Sequence, residues 1–86
     1  MSPTLLSEGG FRFRFYTSDE SEPPHIHAQG SSGRAKVWLQ PVSLAYAHRL
    51  SAAEIRTVLR IVEKYESYFL KQWTEYWPKG GPDLGR

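Results

Sequence analysis

His25 and His27, one residue apart, are the side chains in this sequence best suited to chemistry. In an extended strand, residues i and i+2 point to the same side with Cα atoms about 6.5–7 Å apart, so both imidazoles can act on one ligand. An imidazole gives and takes protons near neutral pH, and nearby cations favour its neutral, basic form. With Lys36 or Arg34 holding a phosphate, the pair suits metal-independent phosphodiester cleavage, His25 and His27 serving as acid and base. A metal site needs a third and a fourth ligand. The remaining histidine, His48, is remote in sequence and there is no cysteine, so neither a metal nor another cofactor is expected. The plain alternative stays open: two solvent-facing or hydrogen-bonding histidines that shape the strand after Pro23-Pro24.

These residues need strands to present them. Phe11-Arg12-Phe13-Arg14-Phe15-Tyr16 alternates apolar and polar with period two, the pattern of a strand that buries one face. Gly9-Gly10 precedes it as a breaker, and Ser18 to Pro24 follows as an acidic, proline-ended loop. His25 to Gln29 and Arg34 to Leu39 alternate again across Gly30-Ser31-Ser32-Gly33, which reads as a β-hairpin. Beyond Pro41, Val42 to Ala47 reads as a fourth strand or a short helix.

The C-terminal third has the period of a helix. Ser51 is a natural N-cap, and Glu54 three residues later completes a capping box. Ile55, Val58, Leu59, Val62, Phe69, Trp73 and Trp77 then recur at three- and four-residue spacing. The spacing predicts one long core helix of about seven turns, stopped by Pro78 and Gly80-Gly81-Pro82, with residues 78–86 as a flexible tail. Glu66 falls beside the apolar stripe, as an edge carboxylate or as the partner of a cation from the sheet. Ile61, Tyr68 and Leu70 fall off it, which suggests a second apolar patch suited to a homodimer or another protein contact.

The expected fold is therefore α+β: an antiparallel meander of three to four short strands packed on one long C-terminal helix, a single domain over residues 1–86 with its ordered core at about 9–77. Alternation sends Phe11, Phe13, Phe15, Ile26, Ala28, Ala35, Val37 and Leu39 toward the helix. The opposite face receives Arg12, Arg14, Tyr16, His25, His27, Gln29, Arg34, Lys36 and Trp38, and no carboxylate. Such a face attracts phosphate through Arg12, Arg14, Arg34 and Lys36 and can stack a splayed base on Tyr16 or Trp38, the combination used by proteins that bind single-stranded nucleic acid. A solvated antiparallel sheet face is also polar without any such role.

Composition sets the outer limits. At 86 residues and 40% hydrophobic content the chain supports one small core, with three Trp, five Tyr and four Phe available to fill it. A formal charge of +2 is too small to announce a nucleic-acid partner, so the argument rests on where the charges sit. The absence of cysteine fits a reducing compartment. The N-terminus MSPTLLSEGG has neither the cationic start nor the apolar stretch of a signal peptide, and no run reaches the length of a membrane span. A cytoplasmic location, without membrane contact, is expected.

The string Glu22-Pro23-Pro24-His25-Ile26-His27-Ala28, the glycine-bearing hairpin after it, and a terminal helix reading Val58-Leu59 through Leu70 to Trp73 together resemble the small bacterial family catalogued as domain of unknown function 4160. The resemblance spans roughly residues 9 to 77, and Pro-Pro-His-x-His-Ala is its most specific part. It implies a cytosolic bacterial protein, encoded beside a second small domain in an arrangement resembling a toxin–antitoxin pair, with that antitoxin-like protein as partner. It implies no particular chemistry. Pro23, Pro24, His25, His27 and Trp73 are the motif positions; the stacking role of Trp38 rests on this sequence alone. Two expectations follow: a toxin–antitoxin component acting on RNA through the basic, histidine-bearing face, or a non-catalytic interaction domain binding the product of a neighbouring gene.

Overall fold

A computed structural model of the chain describes residues 4–16 and 21–77. Five strands, β1 (Thr4–Glu8), β2 (Phe11–Arg14), β3 (His25–Gln29), β4 (Arg34–Leu39) and β5 (Val42–His48), precede two helices, α1 (Ala52–Lys64) and α2 (Glu66–Tyr76). The strands form one sheet in sequence order, each antiparallel to the next. The fold class is thus the α+β meander expected, with two corrections of detail. The acidic loop over Ser18–Glu20 and the tail at 78–86 lie outside the described residues.

The first correction is an additional strand. Gly9 and Gly10 do more than break the chain: both have positive φ (63° and 85°), the requirement of a type I′ two-residue turn, and they fold β1 back onto β2 with Glu8 opposite Phe11. The Thr-Leu-Leu-Ser-Glu run of β1 does not alternate because its register shifts between Thr4 and Leu6, so one extra residue displaces the apolar positions.

The second correction is a break in the helix at Tyr65, which leaves helical geometry (φ −111°, ψ 18°). Backbone bonding survives there, with Tyr65 N–H donating to Ile61 O at 3.0 Å and Phe69 N–H to Tyr65 O at 2.9 Å. A tertiary contact sits at the break: the Tyr65 hydroxyl donates to Glu8 Oε1 at 2.6 Å. That bond, with Lys64 beside it, holds the Glu8 carboxyl below the usual carboxylate range. No proline or glycine stands at this point, so apolar periodicity runs through it unmarked. The start of α1 follows the capping box, Ser51 Oγ accepting from Glu54 N–H at 3.1 Å and Glu54 Oε1 accepting from Ser51 N–H at 2.7 Å.

The core lies between one sheet face and the helices. Phe11, Phe13, Phe15, Ile26, Ala28, Ala35, Val37 and Leu39 are buried against Val58 and Val62 of α1 and Phe69 and Trp73 of α2. Ile61 also belongs to this core, at 3% exposure. Tyr68 is fastened to β1 by its hydroxyl, which donates to Leu5 O at 2.9 Å, and Leu70 packs against the core. Ile61 is therefore withdrawn from the second apolar patch expected with Tyr68 and Leu70, while Tyr68 stays 38% exposed.

Gly33 closes the β3–β4 hairpin, its carbonyl accepting from Gly30 N–H at 2.8 Å. A Cβ on Gly33 would lie 2.2 Å from both His48 O and Arg49 O, main-chain atoms that cannot swing aside. Gly33→Ala is expected to lower stability by about 1–3 kcal/mol, a fall in Tm of at least about 4 °C for a domain of this size. Thermal unfolding followed by circular dichroism checks it, and an unchanged Tm would show that the β5 end yields freely.

Candidate functional site: the basic face of the sheet

The strand registers align the exposed face into cross-strand rows. Arg14 lies opposite His27, His27 opposite Lys36, and Lys36 opposite Tyr46. In the next row Arg12 lies opposite Gln29, Gln29 opposite Arg34, and Arg34 opposite His48. His25 and Trp38 form a third, shorter row with Ser43. Residues directly opposite in an antiparallel pair share a face, and rows two residues apart are separated by about 7 Å. Arg12, Arg14, His27, Arg34, Lys36 and Trp38 therefore belong to one surface, opposite the core.

Rings fill in between the cations. Tyr16, just past β2, stacks on His27 with ring centroids 4.2 Å apart and planes at 30°. Lys36 Nζ lies 4.8 Å from the Trp38 ring centroid, a cation–π distance. Arg14 is half-buried, and its Nη2 donates to Thr4 Oγ1 at 3.3 Å, whereas Arg12 and Arg34 are exposed.

Two features depart from the expected face. A carboxylate is present: Glu22, carried by the segment before Pro23-Pro24, forms an ion pair and hydrogen bond with Lys36. The two histidines also differ. His27 is half-buried, whereas His25, although it alternates to the same side, is 0% exposed.

The cover over His25 comes from three parts of the chain. Its Nδ1 lies 2.8 Å from Pro23 O, a contact that requires the proton on Nδ1, since a carbonyl oxygen only accepts. Nε2 is 3.8 Å from Glu22 Oε1. The ring meets His27 and Trp38 edge-on, with centroids 5.0 and 5.5 Å away, and Trp73 of α2 at 5.3 Å. Pro24 is buried, and its carbonyl accepts from Leu39 N–H at 3.0 Å, which carries the β3–β4 pairing beyond His25 and seals that end. His25 is thus a packed ring behind His27, and His27 is the imidazole that reaches the surface. Sequence reasoning did not place Trp73 or Glu22 at this site. Glu22 stands three residues before His25, but no local pattern brings Trp73 to it.

Two cavities of about 240 Å³ each lie elsewhere, one lined by Leu5, Phe15, Gln72, Glu75 and Tyr76 and the other by residues around Gly9, Gly30 and Ala53. Neither includes a residue of the basic rows. Among the described residues no cluster of three or more His, Cys, Asp or Glu side chains is arranged to hold a metal ion. No described helix is long and apolar enough to cross a membrane.

A family model described as Domain of unknown function (DUF4160) matches residues 10–74, a span that includes β2 to β5, α1 and most of α2. No curated protein and no solved structure matches the chain.

Proposed function

The chain belongs to that family of unknown function, and from the geometry of its basic face we propose that it binds single-stranded RNA, and from the family resemblance that it does so in the cytoplasm as one component of a bacterial toxin–antitoxin-like module. The observation that carries this reading is the row structure: Arg12, Arg14, Arg34 and Lys36 flank His27 on three adjacent strands, with Tyr16 and Trp38 at its margin. The cations take phosphates and the rings offer faces to unstacked bases, as sequence-tolerant single-strand binders do. His27 supplies a donor or acceptor to the bound strand, and His25 fixes the His27 ring from behind. In a ribonuclease-like version of this reading His27 exchanges the proton at the scissile phosphate. A two-histidine mechanism would need His25 to be uncovered first.

A second reading rests on Glu22. Its carboxylate on Lys36 is the kind of group that an acidic segment of a partner protein would supply, so a non-catalytic domain binding the antitoxin-like product of a neighbouring gene also suits this face. Stacking separates the two. Under the RNA reading, single-stranded RNA binds more tightly than the same sequence as a duplex and quenches tryptophan fluorescence, and Trp38→Ala removes most of that quenching. Equal binding of both forms without quenching would favour the protein partner.

Glu22 also gives a prediction of opposite sign to most substitutions. It competes with phosphate for Lys36, so Glu22→Gln should tighten RNA binding about two- to fivefold, the scale of a part-exposed ion pair. Fluorescence anisotropy on labelled RNA measures it, and weaker binding would mean that Glu22 organises the site rather than occupying it.

A further inference from the structure

A β-bulge turns the second half of β5 toward the basic face. Val37 pairs with Leu44 and Lys36 with Tyr46, so Ala45 is the extra residue between two consecutive pairs of β4. Leu44, opposite the core residue Val37, lies on the core side, and strict alternation would send Tyr46 to that side as well. A bulge re-aims the side chains that follow it. Tyr46 accordingly comes out opposite Lys36, and His48 opposite Arg34, which places both on the basic face, where both are exposed. The aromatic rings of this face are not equivalent. Tyr16 stacks on His27, and Trp38 lies under Lys36 and edge-on to His25. Tyr46 is 44% exposed and, among the described residues, meets no other ring.

We infer that Tyr46 is the open base platform of this surface and that the binding site reaches across β4 to β5, an inference that rests on the single-strand reading above. The row Arg14, His27, Lys36, Tyr46 presents in order a cation, an imidazole with Tyr16 stacked on it, a second cation and an open ring. Lys36 stands between the two ring positions, where it meets the phosphates that link two splayed bases. His27 and Tyr46 are two strand spacings apart, about 9.5 Å, or roughly three steps of 3.4 Å along a stacked strand. A mononucleotide reaches only one of the two positions. The ligand that engages both is an unpaired oligonucleotide of about four nucleotides or more, since only unpaired bases can be splayed onto aromatic side chains.

Anisotropy titrations of a labelled single-stranded octanucleotide with the full chain test it. Tyr46→Ala lowers affinity at least about fivefold, the lower end of what one base–aromatic stack contributes. The slope of log affinity against log salt stays that of the wild type, because no phosphate contact is lost. Tyr46→Phe keeps the ring face and binds within about twofold of wild type. Leu44→Ala, a truncation on the opposite side of the same strand, leaves affinity unchanged. On the unmodified chain, the ring protons of Tyr46 shift as the oligonucleotide is added. RNA binding that survives Tyr46→Ala, that Tyr46→Phe weakens as much as alanine does, or that Leu44→Ala weakens equally would overturn this inference and leave the reading of the cation rows standing. A wild-type chain that binds no RNA would remove both.

Discussion

Replacing Arg12 and Arg14 together by alanine is expected to weaken single-stranded RNA binding by one to two orders of magnitude and to halve its dependence on salt. Each phosphate neutralised on a single strand contributes about 0.7 to the slope of log affinity against log salt. Four cations in two rows, Arg12, Arg14, Arg34 and Lys36, therefore predict a slope of about −2.8, or roughly a 50-fold loss between 50 and 200 mM salt. Removing two leaves a slope of about −1.4. Arg12 is exposed and Arg14 gives up one bond to Thr4, so the fold should tolerate the change. Arg56→Ala with Arg60→Ala, on the exposed side of α1, provides the control, because equal charge is lost away from the face. Anisotropy titrations at several salt concentrations measure all three proteins. If the helix pair costs as much as the sheet pair, the interaction follows net charge and not this surface.

The two histidines should separate by what their loss damages. His25→Ala empties a fully buried site and strands the Pro23 carbonyl and three ring faces. Truncation of a buried ring with a lost hydrogen bond costs about 2–4 kcal/mol, a fall in Tm of roughly 10–25 °C in a domain of this size. His27→Ala removes a half-buried ring at the surface, so its effect on stability should stay below about 1 kcal/mol, while RNA affinity falls because the stack with Tyr16 goes with it. Thermal unfolding and binding measured on both variants provide the comparison. A His25→Ala protein as stable as wild type that has nevertheless lost an RNA-cleaving activity would reverse the assignment and make His25 the reacting group.

The basic face was legible because strand alternation is a local property. Phe11 to Tyr16 and Arg34 to Leu39 each carry the period in their own residues, and a sheet in sequence order keeps the sorted faces aligned. The capping box at Ser51 and Glu54 was legible for the same reason. What escaped depends on contacts distant in sequence. β1 lacks alternation because of its bulge, so Gly9-Gly10 read as a breaker and not as a turn. The interruption at Tyr65 coincides with Glu8 in β1, and periodicity alone could not show it. The burial of His25 requires Trp73 from the far end of the chain, and the carboxylate on Lys36 arrives from the segment before Pro23-Pro24. The last two of these altered the site: one imidazole moved behind the other, and one cation gained a resident partner.

Nuclear magnetic resonance on the labelled chain, titrated with a short single-stranded RNA, tests the proposed surface most directly. Shifts confined to the exposed face of β2, β3, β4 and β5, centred on Arg14, His27 and Lys36 and extending to the Trp38 indole, are the predicted result. Shifts that gather on α1 and α2, or a spectrum that RNA leaves unmoved at low salt, would contradict it.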